Sequence, residues 1–222
     1  MEVIEAIRSR RSIRGFKPDP VPRKVLEELL DVCRWAPSAQ NTQTWELAIL
    51  GGKVMAEVKA RCEEKVKNKV KPNPDFPSSE PTGIYLQRAV ASRDATDKHQ
   101  FPPGTKDLDA KRAAYLLKGS RFHDAPNAII IYSDKSLDAK AIMNASILAQ
   151  TIALAAPAYG LGTCLMYRVV NYPDVLRELL GIPASKNIIL GIAIGYPDSG
   201  AILNSLPRTR VPIGDFVQWH GF

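Results

Sequence analysis

Basic side chains near both ends of the chain have the right chemistry to bind an anion. They are Arg10, Arg11, Ser12, Arg14, Arg208 and Arg210. Guanidinium groups bind phosphate oxygens bidentately, and a serine hydroxyl adds a further donor. Taken alone, the spacing is also compatible with ordinary surface arginines. The residues therefore indicate, at most, an anionic ligand bound between the two chain ends.

A second polar segment lies between a predicted helix and a predicted strand. It reads Pro37, Ser38, Ala39, Gln40, Asn41, Thr42, Gln43, Thr44 and Trp45. Small and amide residues of this kind can present several donors and acceptors to a planar heterocycle. A simple polar turn remains the alternative.

The signatures of several other chemistries are missing. Gly160 and Gly162 begin like a dinucleotide fingerprint, but the third glycine is absent and the segment follows a helix. No Walker A loop, nucleophile elbow or zinc-protease helix occurs. The scattered histidines, interpreted as surface or capping residues rather than ligands, are His99, His123 and His220. We therefore expect no metal site.

Composition limits the class of protein. The chain has 222 residues, a net charge of +7 and three cysteines without a CxxC pair. This suits one domain, residues 1–222, in a reducing, cytoplasmic setting. The basic residues form no dense stripe with aromatics, so we expect an anionic small ligand rather than nucleic acid. The polar residues within Ala139 to Met166 argue against a membrane span.

Periodicity indicates an α+β fold with a mixed central β-sheet sandwiched by helices. The predicted strands are Trp45 to Leu50, Ala128 to Ser133, Thr163 to Tyr167 and Asn187 to Ile194. The helix Ala139 to Ala156 is apolar nearly all round, which favours a central helix that also forms a subunit interface. Residues 71–105 are predicted to be a mobile lid or insertion, with a helix from Ile84 to Ala95 inside it.

Four segments in order resemble the nitroreductase family of flavoproteins. They are Arg10 through Phe16, Trp35 through Gln43, Tyr159 through Cys164, and Pro207 through Trp219. The likeness spans nearly the whole chain and is weakest between Lys71 and Thr105. Thr44 departs from the family's usual proline, and Leu165 to Arg168 is bulkier than usual.

The resemblance implies a bound FMN at the interface of a homodimer whose apolar tails wrap the partner subunits. Arg10, Arg11, Ser12, Arg14, Arg208 and Arg210 would hold the phosphate and ribityl chain. Pro37, Ser38, Ala39, Asn41 and Gln43 would contact the ribityl and the ring edge, from the other subunit. Backbone amides around Tyr167, Arg168 and Val169 would face flavin N5 and O4. In the lid, Tyr85, Arg88 and Phe101 would shape acceptor choice.

The resemblance also implies a mechanism. NAD(P)H would reduce the flavin and leave, and a small electron-poor acceptor such as a nitroaromatic or quinone would then be reduced in a ping-pong cycle. No side-chain acid or base is required. The alternatives are a related flavin enzyme of the same fold, such as a reductive dehalogenase or an enoate reductase, or a non-catalytic flavin- or nucleic-acid-binding module. The physiological acceptor and the choice between NADH and NADPH stay open.

Overall fold

A four-stranded antiparallel sheet forms the centre of the protein. The computed structural model describes residues 2–137 and 139–222. The strands are β1 (Glu46–Leu50), β2 (Asn127–Asp134), β3 (Gly162–Met166) and β4 (Lys186–Gly195), in the order β1-β2-β4-β3. All three strand pairs are antiparallel, and among the described residues a parallel partner appears only as the single bridge between Ser12 and Thr163.

Helices cover both faces of this sheet, so the predicted α+β class is confirmed. They are α1 (Val3–Ser9), α2 (Arg23–Cys33), α3 (Gly52–Lys67), α4 (Gly83–Gln100), α5 (Leu108–Ser120), α6 (Ala139–Ala155) and α7 (Pro173–Leu180). Short 3-10 turns lie at Ala39–Asn41, Phe122–Asp124, Ala156–Tyr159, Arg168–Val170, Ile202–Ser205 and Ile213–Asp215.

The core divides into two clusters because side chains alternate along β2. Ala128 and Ile130 face one cluster, with residues of α3 and α7, while Ile129 and Ile131 face the other, with residues of α2 and α6. An irregularity in the β2–β4 register leaves Ile189 without a partner in the ladder. An extra residue of this kind bends a strand and changes which face the side chains occupy.

Helix α6 crosses the second face of the sheet, with Leu148 and Ile152 fully buried. By length and composition the helical stretch Ala139–Tyr159 could cross a membrane, so the expectation that it is too polar is wrong on those grounds. Its packing against the sheet makes it a core helix instead. Met143 is 63% exposed, which leaves apolar helix surface for another contact.

The predicted lid (residues 71–105) contains the 18-residue helix α4, longer at both ends than the predicted Ile84 to Ala95. No residue of α4 is buried, so it has no apolar stripe that could reveal its length. His99 Nε2 lies 3.0 Å from the carbonyl oxygen of Ile202 and 3.2 Å from Ser205 Oγ. These contacts dock the end of α4 on the segment leading to the C-terminus.

Candidate functional site

The N-terminal arginines are positioned by the outer edge of β3. The N–H of Ile13 donates to the carbonyl of Thr163 at 2.9 Å, and Ser12 pairs with Thr163. Ile13 is buried, whereas Arg10, Ser12 and Arg14 are half-buried and Arg11 is exposed. Anchoring one apolar residue of this segment to the sheet leaves the basic residues on either side available for a ligand.

Asn204 joins the C-terminal segment to this edge. Its side chain accepts from the N–H of Arg14 at 2.8 Å and donates to the carbonyl of Gly15 at 2.8 Å. Further along, Arg208 Nη1 donates to the carbonyl of Arg10 at 2.8 Å. The structure therefore brings together the two arginine groups that lie almost 200 residues apart in the sequence.

The arginine cluster carries uncompensated positive charge. Burial lowers the pKa of Arg208, and repulsion from Arg11, Arg10, Arg210 and Arg14 lowers it further. Among residues 2–137 and 139–222, no carboxylate forms an ion pair with any of these five arginines. A cavity of about 480 Å³ opens among them. It is lined by Ile7, Arg8, Arg10, Arg11, Ser205, Leu206, Pro207, Arg208 and Arg210. This environment suits a multiply charged anion.

A trough extends from this cavity along α4. A cavity of about 600 Å³ shares Arg208 and Arg210 with the first and is walled by Arg88 and Ser92 of α4. A third cavity, of about 500 Å³, shares Ser92 and continues to Gln100. From residue 88 to residue 100, α4 runs about 18 Å. The trough can therefore hold an elongated ligand whose anionic end lies among the arginines.

The far end of the trough combines side-chain and backbone donors. Arg14, Tyr115 and Arg168 line it. Arg168 begins a 3-10 turn, and the first N–H groups of such a turn have no partner within it. Within the described ranges, neither Arg168 nor Val169 uses its backbone N–H in a hydrogen bond. Tyr167, directly before the turn, is 71% exposed.

Two buried side-chain atoms lack hydrogen-bond partners in the described part of the chain, and both lie at this end of the trough. They are Gln100 Oε1 and His123 Nδ1. Gln100 lines the third cavity, and the ring of His123 lies 6.0 Å from that of Tyr115, centroid to centroid. Unpaired buried polar atoms are rare, and both of these are sealed from the open cavity.

His123 is buried, so its assignment as a surface or capping residue is wrong. Burial lowers its pKa to about 3, and repulsion from Arg14, Lys118 and Arg168 adds to that effect. The surrounding turn is unusual, since Phe122, His123 and Asp124 all have positive φ values. The residue is therefore held neutral in the folded protein at ordinary pH.

Replacing His123 by asparagine is expected to make the free energy of unfolding depend less on pH in the acidic range. An unfolded histidine binds a proton near pH 6.5, whereas the folded one does so only near pH 3, so stability is lost as pH falls between these values. From pH 7 to pH 5 the wild type should lose about 2 kcal/mol more than His123→Asn. Asparagine tolerates the φ of 52°. Denaturant titrations at pH 7 and pH 5 measure the free energy of unfolding. If the wild type and His123→Asn lose equal amounts of it, His123 is not held neutral in the folded protein.

The polar segment of residues 37–45 forms a tight loop before β1. Ser38 Oγ accepts from the N–H of Gln43 at 2.9 Å, and Gln43 Nε2 donates to the carbonyl of Asn41 at 3.0 Å. Gln40, Asn41 and Gln43 have positive φ values, a costly conformation that tends to occur at binding sites. Pro37, Ala39, Asn41 and Gln43 are exposed, and Ser38 is half-buried.

Asn144 of α6 supports this loop from the core. It is 2% exposed, its Oδ1 accepts from the N–H of Ala39 at 3.2 Å, and its Nδ2 donates to Thr44 Oγ1 at 3.1 Å. Thr44 stands where the family has proline, and its hydroxyl provides the second of these contacts. Nothing in the sequence pattern singles out Asn144, because it reads as one polar residue in an apolar helix.

Replacing Asn144 by alanine is expected to loosen the loop without unfolding the sheet. Both hydrogen bonds would be lost and the N–H of Ala39 left unpaired, at a cost of about 1–3 kcal/mol. We expect faster amide hydrogen exchange in residues 39–45 and weaker ligand binding. As a control, Ser146→Ala on the exposed face of α6 removes only a bond to its own helix. Unchanged exchange in the loop would show that Asn144 does not order it.

Within one chain the loop and the arginine cluster lie far apart. The loop enters β1 at one edge of the sheet, while Ser12 flanks β3 beyond the other edge. Four strand spacings separate them, about 19 Å. The cavity at Arg208 includes no residue of the loop. The two groups of predicted binding residues therefore do not form one pocket within one chain.

The three residues predicted to shape acceptor choice lie in different surroundings. Arg88 lines the trough, Tyr85 is 67% exposed, and Phe101 directly follows α4. Ile84 and Leu86 are also exposed, at 51% and 40%. The structure thus leaves an apolar, aromatic surface at the start of α4, close to Arg88 in sequence.

Comparison with known proteins decides the family. The sequence pattern described as the nitroreductase family matches residues 7–196. The chain belongs to the nitroreductase family. The predicted family is thereby confirmed, and the first three of the four sequence segments lie within the matched residues.

Two curated members are similar over nearly their full length. The chain is 29% identical to a 4-nitrobenzoate reductase of Pseudomonas putida, covering 97% of this chain and 94% of that protein. It is also 29% identical to the nitroreductase NfnB of Mycolicibacterium smegmatis, covering 96% and 90%.

Solved structures agree with this assignment. The FMN-dependent nitroreductase NfnB from Mycobacterium smegmatis, in complex with NADPH, superposes with a TM-score of 0.87 at 25% identity over 98% of this chain and 97% of that one. An FMN- and NADPH-dependent NfnB from Sphigopyxis sp. strain HMH gives a TM-score of 0.92 at 23% identity, covering both chains completely. The second likeness supports the fold of this nitroreductase family member.

Proposed function

We propose that this protein is an FMN-dependent oxidoreductase that passes electrons from NADPH to small electron-poor acceptors such as nitroaromatics. The observation that carries the proposal is the uncompensated arginine cluster at the end of a trough about 18 Å long. Of the proteins named above, the two with solved structures are FMN-dependent nitroreductases; one is in complex with NADPH and the other is described as NADPH-dependent.

The residues present fit FMN. Its phosphate would lie among Arg10, Arg11 and Arg208, where bidentate donors converge and no carboxylate of the described residues competes. Ser12, Arg14 and Arg210 would complete the binding of the phosphate and ribityl chain. The ring would extend toward Arg14, Tyr115 and Arg168.

The chain's own groups bind, orient and polarise rather than transfer protons. When bound, FMN would supply the redox chemistry, accepting electrons from a reduced nicotinamide and giving them to the acceptor. The free N–H groups of Arg168 and Val169 would donate to the polar edge of the ring. Positive charge from Arg14 and Arg168 would stabilise negative charge that develops there. Donor and acceptor would use the same exposed position in turn, which gives ping-pong kinetics.

A homodimer completes the site in this proposal. The loop of residues 37–45 is exposed and separate from the arginine cluster of its own chain, so the partner's loop would reach the same ligand. The C-terminal tail supports this arrangement, because Phe216, Trp219 and Phe222 are largely exposed. Such apolar surface on a tail favours packing against another chain.

Mixing two impaired variants, at an FMN concentration too low to saturate either of them, tests the shared site. Arg208→Gln impairs the arginine half, and Asn41→Gly removes a side chain from the loop half while keeping the positive φ accessible. If each site uses one half from each subunit, one site of every mixed dimer is wild type. Refolding the variants together should then restore about a quarter of wild-type activity. No recovery despite mixed dimers would place both halves on one subunit.

Kinetics with a nitroarene test the reaction itself. With NADPH and 4-nitrobenzoate as the varied substrates, double-reciprocal plots should be parallel. Intersecting lines would contradict alternating use of one position. Reduction of quinones, enoates or haloarenes in preference to nitroarenes would assign the chain to a related flavin chemistry.

The free, buried thiols of Cys33, Cys62 and Cys164 support a cytoplasmic location.

A further inference from the structure

We propose that Arg88 of α4 binds the 2′-phosphate of NADPH and so makes the protein prefer NADPH to NADH. The inference rests on the proposed function, because it requires a reduced nicotinamide to meet a flavin in the trough. It assigns Arg88 to the electron donor, whereas the family resemblance implied a role in acceptor choice.

The cavity between α4 and the C-terminal segment has the chemistry of a phosphate site. Its volume is about 600 Å³. Its polar wall consists of three guanidinium groups and two hydroxyls, from Arg88, Arg208, Arg210, Ser92 and Thr209. None of the described residues that line it is acidic. Guanidinium groups and hydroxyls together are the donors that phosphate oxygens accept from.

The charge of Arg88 is not neutralised by the protein. Arg88 is half-buried, and in the described part of the chain no carboxylate forms an ion pair with it. The carboxylates of Asp94 and Asp97, further along α4, line the third cavity instead, and Asp97 is paired with Arg112. A half-buried guanidinium without a counter-ion favours the binding of an anion.

Arg88 also lies apart from the arginines that would bind the FMN phosphate. The charges that lower the pKa of Arg208 come from four arginines near the chain ends, and Arg88 is not one of them. Arg88 lines the cavity of about 600 Å³ but not the one of about 480 Å³, where the FMN phosphate would bind. It is therefore available for a second anionic group.

One face of α4 forms an open path from the flavin ring to Arg88. Residues three, four and seven positions after Arg88 share its face of the helix. They are Ala91, Ser92 and Ala95, all small and exposed. Ser92 and Thr96 also line the third cavity, toward which the ring would extend. From residue 88 to residue 96, α4 runs about 12 Å, so an elongated ligand on this face can reach from the ring to Arg88.

These features match the two ends of NADPH. The nicotinamide must meet the flavin ring, and the adenosine lies at the opposite end of the molecule, beyond the pyrophosphate. NADPH carries a phosphate on the 2′-oxygen of that adenosine, whereas NADH carries a hydroxyl there. Arginine is the residue that commonly accommodates this phosphate. A charge at the far end of the path therefore discriminates between the two donors.

Binding of adenosine 2′,5′-bisphosphate to the FMN-loaded protein tests the proposal without turnover. By isothermal titration, Arg88→Gln should weaken its binding about tenfold to a hundredfold, because a charge-assisted hydrogen bond is lost. Arg88→Lys should show an intermediate affinity, since it keeps the charge but not the paired donors. Lys98→Gln removes a charge at an exposed position of the same helix and should leave the affinity unchanged.

Two further measurements separate the 2′-phosphate from the pyrophosphate. Adenosine 5′-monophosphate lacks the 2′-phosphate, so the wild type and Arg88→Gln should bind it equally. In turnover, Arg88→Gln should lower kcat/KM for NADPH by the same factor as the bisphosphate affinity and leave kcat/KM for NADH unchanged. Equal losses with NADPH and NADH would place the pyrophosphate at Arg88 and overturn the proposal.

The failure of this proposal is distinguishable from that of the proposed function. If the wild type and Arg88→Gln bind the bisphosphate equally, Arg88 does not bind the 2′-phosphate, although FMN binding and reduction by NADPH are unaffected. If the wild type takes up no FMN, the proposed function is wrong as well.

Discussion

Arg208→Gln is expected to weaken FMN binding between about tenfold and a hundredfold. Arg208 lies at the meeting point of the two arginine groups, where burial and four neighbouring arginines already lower its pKa. A charge-assisted hydrogen bond to a phosphate contributes about 1.5–3 kcal/mol, which corresponds to that range. Isothermal titration of flavin-depleted protein with FMN measures the effect directly.

Two comparison variants separate the site from general charge. Arg208→Lys keeps the charge but loses the planar pair of donors, so its affinity should lie between those of the wild type and Arg208→Gln. Arg23→Gln removes an exposed arginine paired with Glu27 on α2 and should leave FMN affinity unchanged. Equal FMN affinities for the wild type and Arg208→Gln would show that the FMN phosphate does not bind at this cluster.

Gly191→Ala is expected to destabilise the fold and disturb the site together. A Cβ at this position of β4 would lie 2.2 Å from Val169 Cγ2 and 3.4 Å from Ile130 Cδ1. Val169 is 1% exposed and belongs to the 3-10 turn with free N–H groups, so the turn must shift. Overpacking of this kind costs about 1–3 kcal/mol, so a loss of about 2 kcal/mol would lower Tm by about 4–8 °C.

A second glycine provides the control for this substitution. Gly214, in the C-terminal tail, has no positive φ value, and a Cβ there would meet nothing within 4 Å. Gly214→Ala should therefore leave Tm unchanged in calorimetry. If Gly191→Ala retains both its Tm and its FMN affinity, the turn at Val169 is not rigidly coupled to β4.

The sheet was predictable because its strands carry their signal locally. The apolar run at residues 128–133 is long and free of turn residues, and the observed β2 extends it by one residue at each end. The sequence predicts too short a helix α4 for the opposite reason. None of its residues is buried, so no helical periodicity of apolar residues marks where it begins and ends. His123 was misassigned because its burial depends on a three-residue left-handed turn with no glycine.

The candidate site was predictable only in its residue types. Arginines near both chain ends indicated an anion, but Asn204, which joins those ends, looks like any polar loop residue. Asn144 acts through contacts with a loop about 100 residues away in the sequence, and a single sequence carries no local signal for such contacts. The separation of the loop from the arginines follows from the strand order, which connectivity does not dictate.

An absorbance spectrum of the purified full-length protein, before and after anaerobic addition of NADPH, tests the central claim most directly. We expect flavin bands that bleach with NADPH and return when 4-nitrobenzoate is added. Protein without flavin, and unable to take up added FMN, would contradict the assignment of the arginine-lined trough as a flavin site.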